Sequence, residues 1–250
     1  MITYIGPSWS RDKKPELSGY KMHTHDYYEV LLFISGDADY TVEGNIYRLH
    51  PGDMMIMNKS ESHHLVLRSD APYERLVVHF NVDDEKIREF FKSKPSGKNS
   101  LYKAADIPDR WRFYLEKTCG EGLHFYMLPL LYEMADMGLP KNDSITDKAQ
   151  QIIEYINQNI QNELSLDTLC EKFYLSKAHL NRIFKKATGT TVWDYVTVKR
   201  LFFARRKISH GTNPTDACLS AGFHDYTTFY RAYKKQFNEA PKAQKVRNSI

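Results

Sequence analysis

The 250-residue chain is poor in cysteine and has no long apolar run. Its three cysteines, Cys119, Cys170 and Cys218, are too few and odd in number for a disulfide framework, and they fit a reducing compartment. No stretch reaches the roughly 18 consecutive apolar residues of a membrane span, so no membrane partner is expected. The opening MITYIGPSWSRDKKP lacks an apolar leader core, which makes secretion unexpected and the cytoplasm the expected location. Charge is not in excess either. With 26% charged and 42% hydrophobic residues the composition is globular, against disorder or a fibre. The length suits one or two domains.

Charge is unevenly placed. Residues 1–145 hold 18 basic and 22 acidic side chains and residues 146–250 hold 17 and 9, so an acidic part of net −4 precedes a basic part of net +8. Two domains with different partners follow, and the basic one raises the odds of nucleic acid.

From Gly19 to about Val82 the text reads as strands. EVLLFI (Glu29–Ile34), ADYTV (Ala38–Val42), DMMIM (Asp53–Met57), HLVL (His64–Leu67) and RLVVHF (Arg75–Phe80) are short, apolar and rich in β-branched and aromatic residues. Ser35-Gly36-Asp37, Glu43-Gly44-Asn45, Pro51-Gly52-Asp53 and Ser69-Asp70-Ala71-Pro72 mark turns between them. Such spacing predicts a small antiparallel barrel or double-sheet roll. Helical patterns follow at Asp83–Phe91, Pro108–Cys119 and Gly122–Met137, the last two apolar enough either to cover the barrel or to form a dimer interface.

GLPKNDSIT (Gly138–Thr146) is the linker signal. The expected organisation is α+β: a β-barrel domain with helices at 1–138, a linker at 139–146 and an all-α domain at 147–250. The predicted helices of the second domain are Asp147–Asn159, Ser165–Phe173, Ser176–Thr188, Val192–Ser209, Pro214–Ala221 and Asp225–Phe237.

That second domain contains a near-duplicate. LCEKFYLSKAHLNRIFKKATG (Leu169–Gly189) pairs with ACLSAGFHDYTTFYRAYKKQFN (Ala217–Asn238). Cys170 matches Cys218 at an offset of 48; after one extra residue Leu180 matches Phe229, Arg182 matches Arg231, and Lys185-Lys186 matches Lys234-Lys235 at 49. Each copy reads as a short helix, a tight turn and a longer helix begun by a capping residue, Ser176 or Asp225, which is helix-turn-helix grammar. Leu180, Ile183, Phe184 and Ala187 make a core stripe, and Ala178, Asn181, Arg182 and Lys185 make a polar, basic face. In the second copy Phe229, Ala232 and Tyr233 oppose Thr227, Tyr230, Arg231 and Lys234. Arginine bonds guanine edges and asparagine bonds adenine edges in the major groove, while flanking lysines neutralise phosphates. A lone helix face of this kind is usually just solvated; two matched copies in a basic domain favour DNA. The cysteines read as small packing residues.

The stretch Ser165–Pro241, with LSLDTLCEKF, LSKAHLNRIFKKATG, WDYVTVKRLFFARRKI and AGFHDYTTFYRAYKKQFNEAP, resembles the DNA-binding domain of the AraC-type family of bacterial transcription regulators. The resemblance implies two helix-turn-helix units joined by one long helix, Val192–Ser209, about 27 Å long at about 1.5 Å per residue. The two recognition helices would meet successive major grooves about one turn apart. By position the base-facing residues are Ala178, Asn181 and Arg182, then Tyr226, Thr227, Tyr230 and Arg231, with Lys177, Lys185 and Lys234 beside them. Pro214, Ala217 and Lys207 stand where the family is usually apolar, and Asn238 stands where it has glycine; the second unit is therefore expected to be less well packed or less strict.

Six of the ten histidines lie between His23 and His79. The densest pattern, HTHDYYEVLLFISG (His23–Gly36), is followed by Pro51-Gly52-Asp53 and His63-His64, and resembles the two motifs of the cupin barrel, although Asn58 and Ser60 replace a proline and a glycine of the second. His23, His25 and Glu29 share strand parity. Three readings stay open. His23, His25, Glu29 and His63 hold a first-row metal such as Zn, Fe, Mn or Ni; or they line an effector site without metal, as sensor domains of AraC-type regulators often do; or they are structural. Tyr27 and Tyr40 join the effector candidates, and Tyr28, Phe33 and Tyr47 lie in the same strands, where aromatics are sugar platforms or core. No cofactor is expected apart from that divalent ion.

The expected function is a ligand-responsive transcription regulator, not an enzyme, whose barrel takes a small effector, with a carbohydrate suggested by the family and the aromatics, and whose helical domain binds promoter DNA. By family analogy it is a homodimer, with RNA polymerase as a further contact. The alternative is a metal-dependent cupin enzyme with an appended DNA-binding domain.

Overall fold

In the computed structural model the chain divides into two compact units, residues 1–145 and 146–250. The structure describes residues 1–16, 20, 22–122, 124–141 and 148–242. Residues 142–146 of the expected linker, and residue 147 at the start of the next expected helix, lie outside them.

Among its described residues the first unit holds eight strands and three α-helices: β1 (Ile2–Asp12), β2 (Tyr28–Ser35), β3 (Ala38–Val42), β4 (Asn45–Arg48), β5 (Met54–Met57), β6 (His63–Leu67), β7 (Tyr73–Val82), α1 (Glu85–Ser93), β8 (Leu101–Tyr102), α2 (Asp109–Gly120) and α3 (Met127–Met137). The strands form an antiparallel sheet in the order β1-β7-β2-β5-β8 and a second in the order β4-β3-β6. The expected barrel is thus a two-sheet sandwich, with no strand ladder between the two sheets among the described residues rather than closure into one cylinder.

Strand parity sorts the two faces of the larger sheet. Val30, Leu32, Leu76, Val78 and Phe80 point to one side, where Ile87, Phe91, Trp111, Leu115, Met127, Leu130 and Met134 of the helices cover them. Leu31, Phe33, Tyr73 and Val77 point to the other, against Ala38, Tyr40, Val42, Leu65 and Leu67 of the smaller sheet. The apolar helices at 108–137 therefore cover the sheet, although Phe113, Phe125, Tyr132 and Met137 stay exposed. The β3–β4 hairpin turns at Glu43 and Gly44, both with positive φ (47° and 78°), as a two-residue turn matched to strand twist requires.

β1 was not among the expected strands. Its Gly6-Pro7 pair reads as a breaker, but β1 is the sheet edge, where a proline costs no ladder bond.

The second unit is helical: α4 (Lys148–Gln158), α5 (Leu166–Phe173), α6 (Lys177–Thr188), α7 (Val192–Ser209), α8 (Pro214–Ser220) and α9 (Tyr226–Phe237). Ser165, Ser176, Thr191, Asn213 and Asp225 cap the N-termini of α5 to α9 through their side chains. The repeat is visible in the backbone. Leu175 N donates to Cys170 O at 3.0 Å and Phe223 N to Cys218 O at 3.2 Å, the offset of 48. Gly189 and Asn238 then end α6 and α9 in the left-handed conformation, the offset of 49. Asn238 thus does what the glycine does. Arg200 of α7 ties the unit together: its Nε donates to Ile160 O (2.8 Å) and its Nη2 to Asn162 O (2.7 Å), while its guanidinium lies over Gly222.

Candidate effector site and nucleic-acid interface

Glu29 shares the inward parity of Leu31 and Phe33, so β2 delivers a carboxylate into the space between the sheets. Its side chain is 3% exposed. Oε2 receives Nε2 of His25 at 2.9 Å and Nε2 of His79 at 2.9 Å, with Nε2 of the fully buried His63 at 3.3 Å; the Tyr40 hydroxyl donates to Oε1 at 3.4 Å. Burial opposes the charged form of Glu29, but the charge of His63 and hydrogen bonds from His25, His63 and His79 outweigh it and hold the carboxyl well below its usual range. Burial also works against the His63 cation, and the Glu29 carboxylate more than offsets it, so the pKa of His63 is raised.

Two of the rings are oriented by backbone. His25 Nδ1 is 3.2 Å from Tyr27 O and His63 Nδ1 is 2.9 Å from Glu61 O. A carbonyl only accepts, so both Nδ1 atoms carry the proton and both Nε2 atoms face Glu29. Glu61 is itself pinned, accepting from the buried Lys94 Nζ at 2.9 Å, from Gly97 N at 2.7 Å and from Asn58 N at 2.7 Å.

His23, His25, Glu29 and His63 each bring a ligand atom within 4.8 Å of the others. The structure thus brings together the four residues expected from the motif, though not on one strand. His23 and His25 precede β2 in an irregular segment, and His23 meets His63 at an isolated antiparallel bridge (3.1 and 3.0 Å). Tyr40 is buried beside them, and Tyr27 is half-buried, stacked on Tyr4 with centroids 4.4 Å apart. His79 was missed. It lies across the β2–β7 ladder from Glu29, on the face that Val77 fixes as inward. Alternation in RLVVHF carried that signal. Arg75 shares the face, its guanidinium 5.5 Å from the Tyr20 ring centre and 5.1 Å from that of Tyr73, with no ion pair among the described residues.

In the helical unit α6 buries Leu180, Phe184 and Ala187 and exposes Lys177, Ala178, Arg182 and Lys185, with Asn181 half-buried. α9 buries Phe229 and Tyr233 and exposes Tyr226, Thr227, Tyr230, Arg231 and Lys234. Both stripes fall as the sequence pattern predicts. Lys177 pairs with Asp167 at 2.6 Å, whereas Arg182, Lys185, Arg231 and Lys234 make no ion pair among the described residues, which leaves four cations for an anionic partner.

Residues 169–245 match a family described as Helix-turn-helix domain, and residues 12–93 match one described as AraC-like ligand binding domain. The transcriptional activator RhaS of Mannheimia succiniciproducens is 23% identical over 90% of this chain and 88% of its own length. The regulatory protein SoxS of Escherichia coli is 30% identical over 37% of this chain and 87% of its own. Among solved structures, ToxT from Vibrio cholerae aligns over 95% of both chains at 14% identity, with a TM-score of 0.41. The chain belongs to the AraC-type family of transcription regulators. It is a ligand-responsive DNA-binding regulator, with its ligand-binding match on the sandwich and its helix-turn-helix match on the helical unit. No described helix is long and apolar enough to cross a membrane.

Proposed function

We propose that this regulator takes a small polar effector at the histidine cluster around Glu29 and reads promoter DNA with α6 and α9. The observation that supports the first half is the convergence of polar groups on one buried carboxylate: His23, His25, His63, His79 and Tyr40 meet Glu29, with Tyr27 beside them. Burying such a group stabilises nothing by itself, so it points to a ligand. Arg75 and the tyrosine rings around it suit an effector rich in oxygen, a carbohydrate among them.

In the second half Asn181, Arg182, Arg231, Tyr230, Thr227, Tyr226 and Ala178 face base edges, and Lys177, Lys185 and Lys234 face phosphates. The working unit is a homodimer in the cytoplasm, with 1–138 as effector domain, 139–146 as linker and 147–250 as DNA-binding domain, and with RNA polymerase as its contact at the promoter. It is read as a regulator rather than an enzyme because the relatives it matches are transcriptional regulators.

The test is genome-wide DNA capture with the full-length protein, Arg182→Ala and Arg231→Ala, followed by a reporter on the captured promoter with Glu29→Gln. A motif of two half-sites about one helical turn apart, each weakened by a different arginine variant, together with a response lost in Glu29→Gln, is the expected result. Capture without sequence preference would overturn the DNA assignment, and an unchanged response the effector assignment.

A further inference from the structure

Arg75 is a half-buried cation with no counter-ion among the described residues. It projects from β7 on the inward parity of Tyr73 and Val77. Two rings flank its guanidinium, Tyr20 at 5.5 Å and Tyr73 at 5.1 Å from ring centre to Cζ, and these rings meet each other edge to face at 5.7 Å. The carboxylates around it are engaged elsewhere. Asp12 accepts from the Tyr20 hydroxyl (3.3 Å) and the Lys14 amide (3.1 Å), Glu74 on the opposite parity accepts from Trp9 and Arg11, and Glu29 holds the histidines. The ring faces attract the charge, but they offer no lone pair to the in-plane N–H groups of the fork. Beside the guanidinium the Tyr73 hydroxyl is buried, in a residue 1% exposed, and has no hydrogen-bond partner among the described residues. Burial pushes the Tyr73 hydroxyl up to about 12, so it keeps its proton as a donor. Enclosing an unpaired cation next to an unpaired hydroxyl is unfavourable, and one anion that accepts from both relieves the two together.

We infer that the effector is an acid, a small hydroxylated carboxylate of the sugar-acid kind, with its carboxylate on Arg75 and the Tyr73 hydroxyl and its hydroxyls toward Glu29. The inference rests on the reading of Glu29 and its neighbours as the effector site and names the ligand class. The guanidinium is planar and held between two rings, and it presents a fork that matches a carboxylate bidentately. Tyr40 makes the two ends one site: its hydroxyl donates to Glu29 at 3.4 Å, and it lies within electrostatic reach of Tyr73 and Arg75. Arg75 and His79, the neighbour of Glu29, stand four residues apart on β7, about 13 Å at about 3.3 Å per residue. The cation and the carboxylate therefore hold opposite ends of a ligand. Glu29 repels an acid group and Arg75 attracts one, which fixes the direction in which the ligand lies. A neutral sugar leaves Arg75 unpaired. At the far end a hydroxyl both donates to a carboxylate and accepts from an imidazole N–H, which an ammonium group does not.

The experiment melts the full-length protein against acetate and its uncharged isostere acetamide, in a chloride buffer at constant ionic strength. Acetate should raise the melting temperature saturably and acetamide should not. Arg75→Met should weaken acetate binding about 10-fold or more, and Tyr73→Phe should weaken it by less. Tyr73→Phe removes only an unpaired hydroxyl, so without acetate it should melt at the same temperature or higher, and its weaker binding is then no loss of fold. Arg68→Met should leave the acetate response unchanged, because Arg68 is already paired with Asp39 at 3.0 Å. In the promoter reporter, uronates and aldonates are set against their neutral parent sugars, and the acids should act through wild type but not through Arg75→Met. Equal shifts from acetate and acetamide, an acetate response that survives Arg75→Met, or a neutral sugar that acts on wild type and Arg75→Met alike would each overturn the inference. The reading of the site is judged apart from it by Glu29→Gln. A neutral sugar whose action needs Glu29 but not Arg75 sinks the acid and keeps the effector site. Acetate held by Arg75, with a promoter response indifferent to Glu29→Gln, sinks the site around Glu29 and leaves an anion site on Arg75.

Discussion

Glu29 of β2 and His79 of β7 are ladder partners, and the His79 Nε2 stands 2.9 Å from the Glu29 carboxylate. The ladder itself sets this pair, because both residues sit on the inward parity of adjacent strands. Glu29 is 3% exposed and His79 32%, so the pair runs from the interior to the rim.

That gradient separates function from stability at His79. The ring is one of several neighbours of Glu29 and is partly solvated, so His79→Ala should shift unfolding by no more than about 1 kcal/mol. Its reporter response to the effector should nevertheless fall. Urea unfolding and the captured promoter, measured on one preparation, check both; equal losses would make His79 a structural residue only.

Lys94 and Glu61 make the opposite case. The Lys94 side chain is fully buried and Glu61 is 4% exposed, so neither charge has water to fall back on. Lys94→Met leaves Glu61 with backbone donors alone and should cost about 3–5 kcal/mol. The Lys94→Met/Glu61→Leu pair should recover part of this, although it also removes the two backbone bonds that Glu61 accepts. Denaturant midpoints for the two singles and the double give the coupling directly.

Legibility followed the range of the interactions. The helical unit could be read almost to the residue, because caps, 3.6-residue periodicity and the repeat are local signals: α7 spans Val192–Ser209, and Ser165, Ser176 and Asp225 stand at the caps. The sandwich was less legible. β1 carries Gly6-Pro7, tolerable only because a distant strand makes it an edge. His79 is a single polar residue in an apolar strand, and only register against β2 gives it a partner. His23 and His25 share parity with Glu29 in the sequence, yet they reach it from an irregular segment held by the His63 bridge. The tie from Arg200 to Ile160 and Asn162 spans some 40 residues and leaves no sequence pattern.

The two turns of the repeat invite a stability test. Tyr174, 92% exposed, takes φ 55° where the second copy places Gly222 at φ 85°. A side chain pays about 1 kcal/mol for that backbone, and Tyr174 buries nothing in return. Tyr174→Gly should therefore leave the helical unit equal or more stable by up to about 1 kcal/mol. Gly222→Ala should destabilise it by about 1–2 kcal/mol, because the added Cβ also meets the Arg200 Cζ at 2.9 Å. Thermal unfolding of the two variants, expected to move in opposite senses, checks the argument.

The recognition helices yield the sharpest contrast between residues that look alike. Arg182 and Arg231 occupy matched positions, exposed near the middle of α6 and α9, and Lys185 and Lys234 lie one turn further on. An arginine that bonds a base edge contributes only where that base is present. Arg182→Ala and Arg231→Ala should each reduce affinity for the full operator about 10- to 100-fold and relax selection at one half-site, a different one for each. A lysine facing phosphate contributes at every sequence. Lys185→Ala and Lys234→Ala should weaken specific and non-specific DNA alike and lower the slope of log affinity against log salt by about one. Lys177 should contribute less than these, because Asp167 already holds it at 2.6 Å. Equilibrium binding to operator and scrambled duplexes across a salt series separates the classes. Arginine variants that lose operator and scrambled DNA equally would place Arg182 and Arg231 on the backbone instead of the bases.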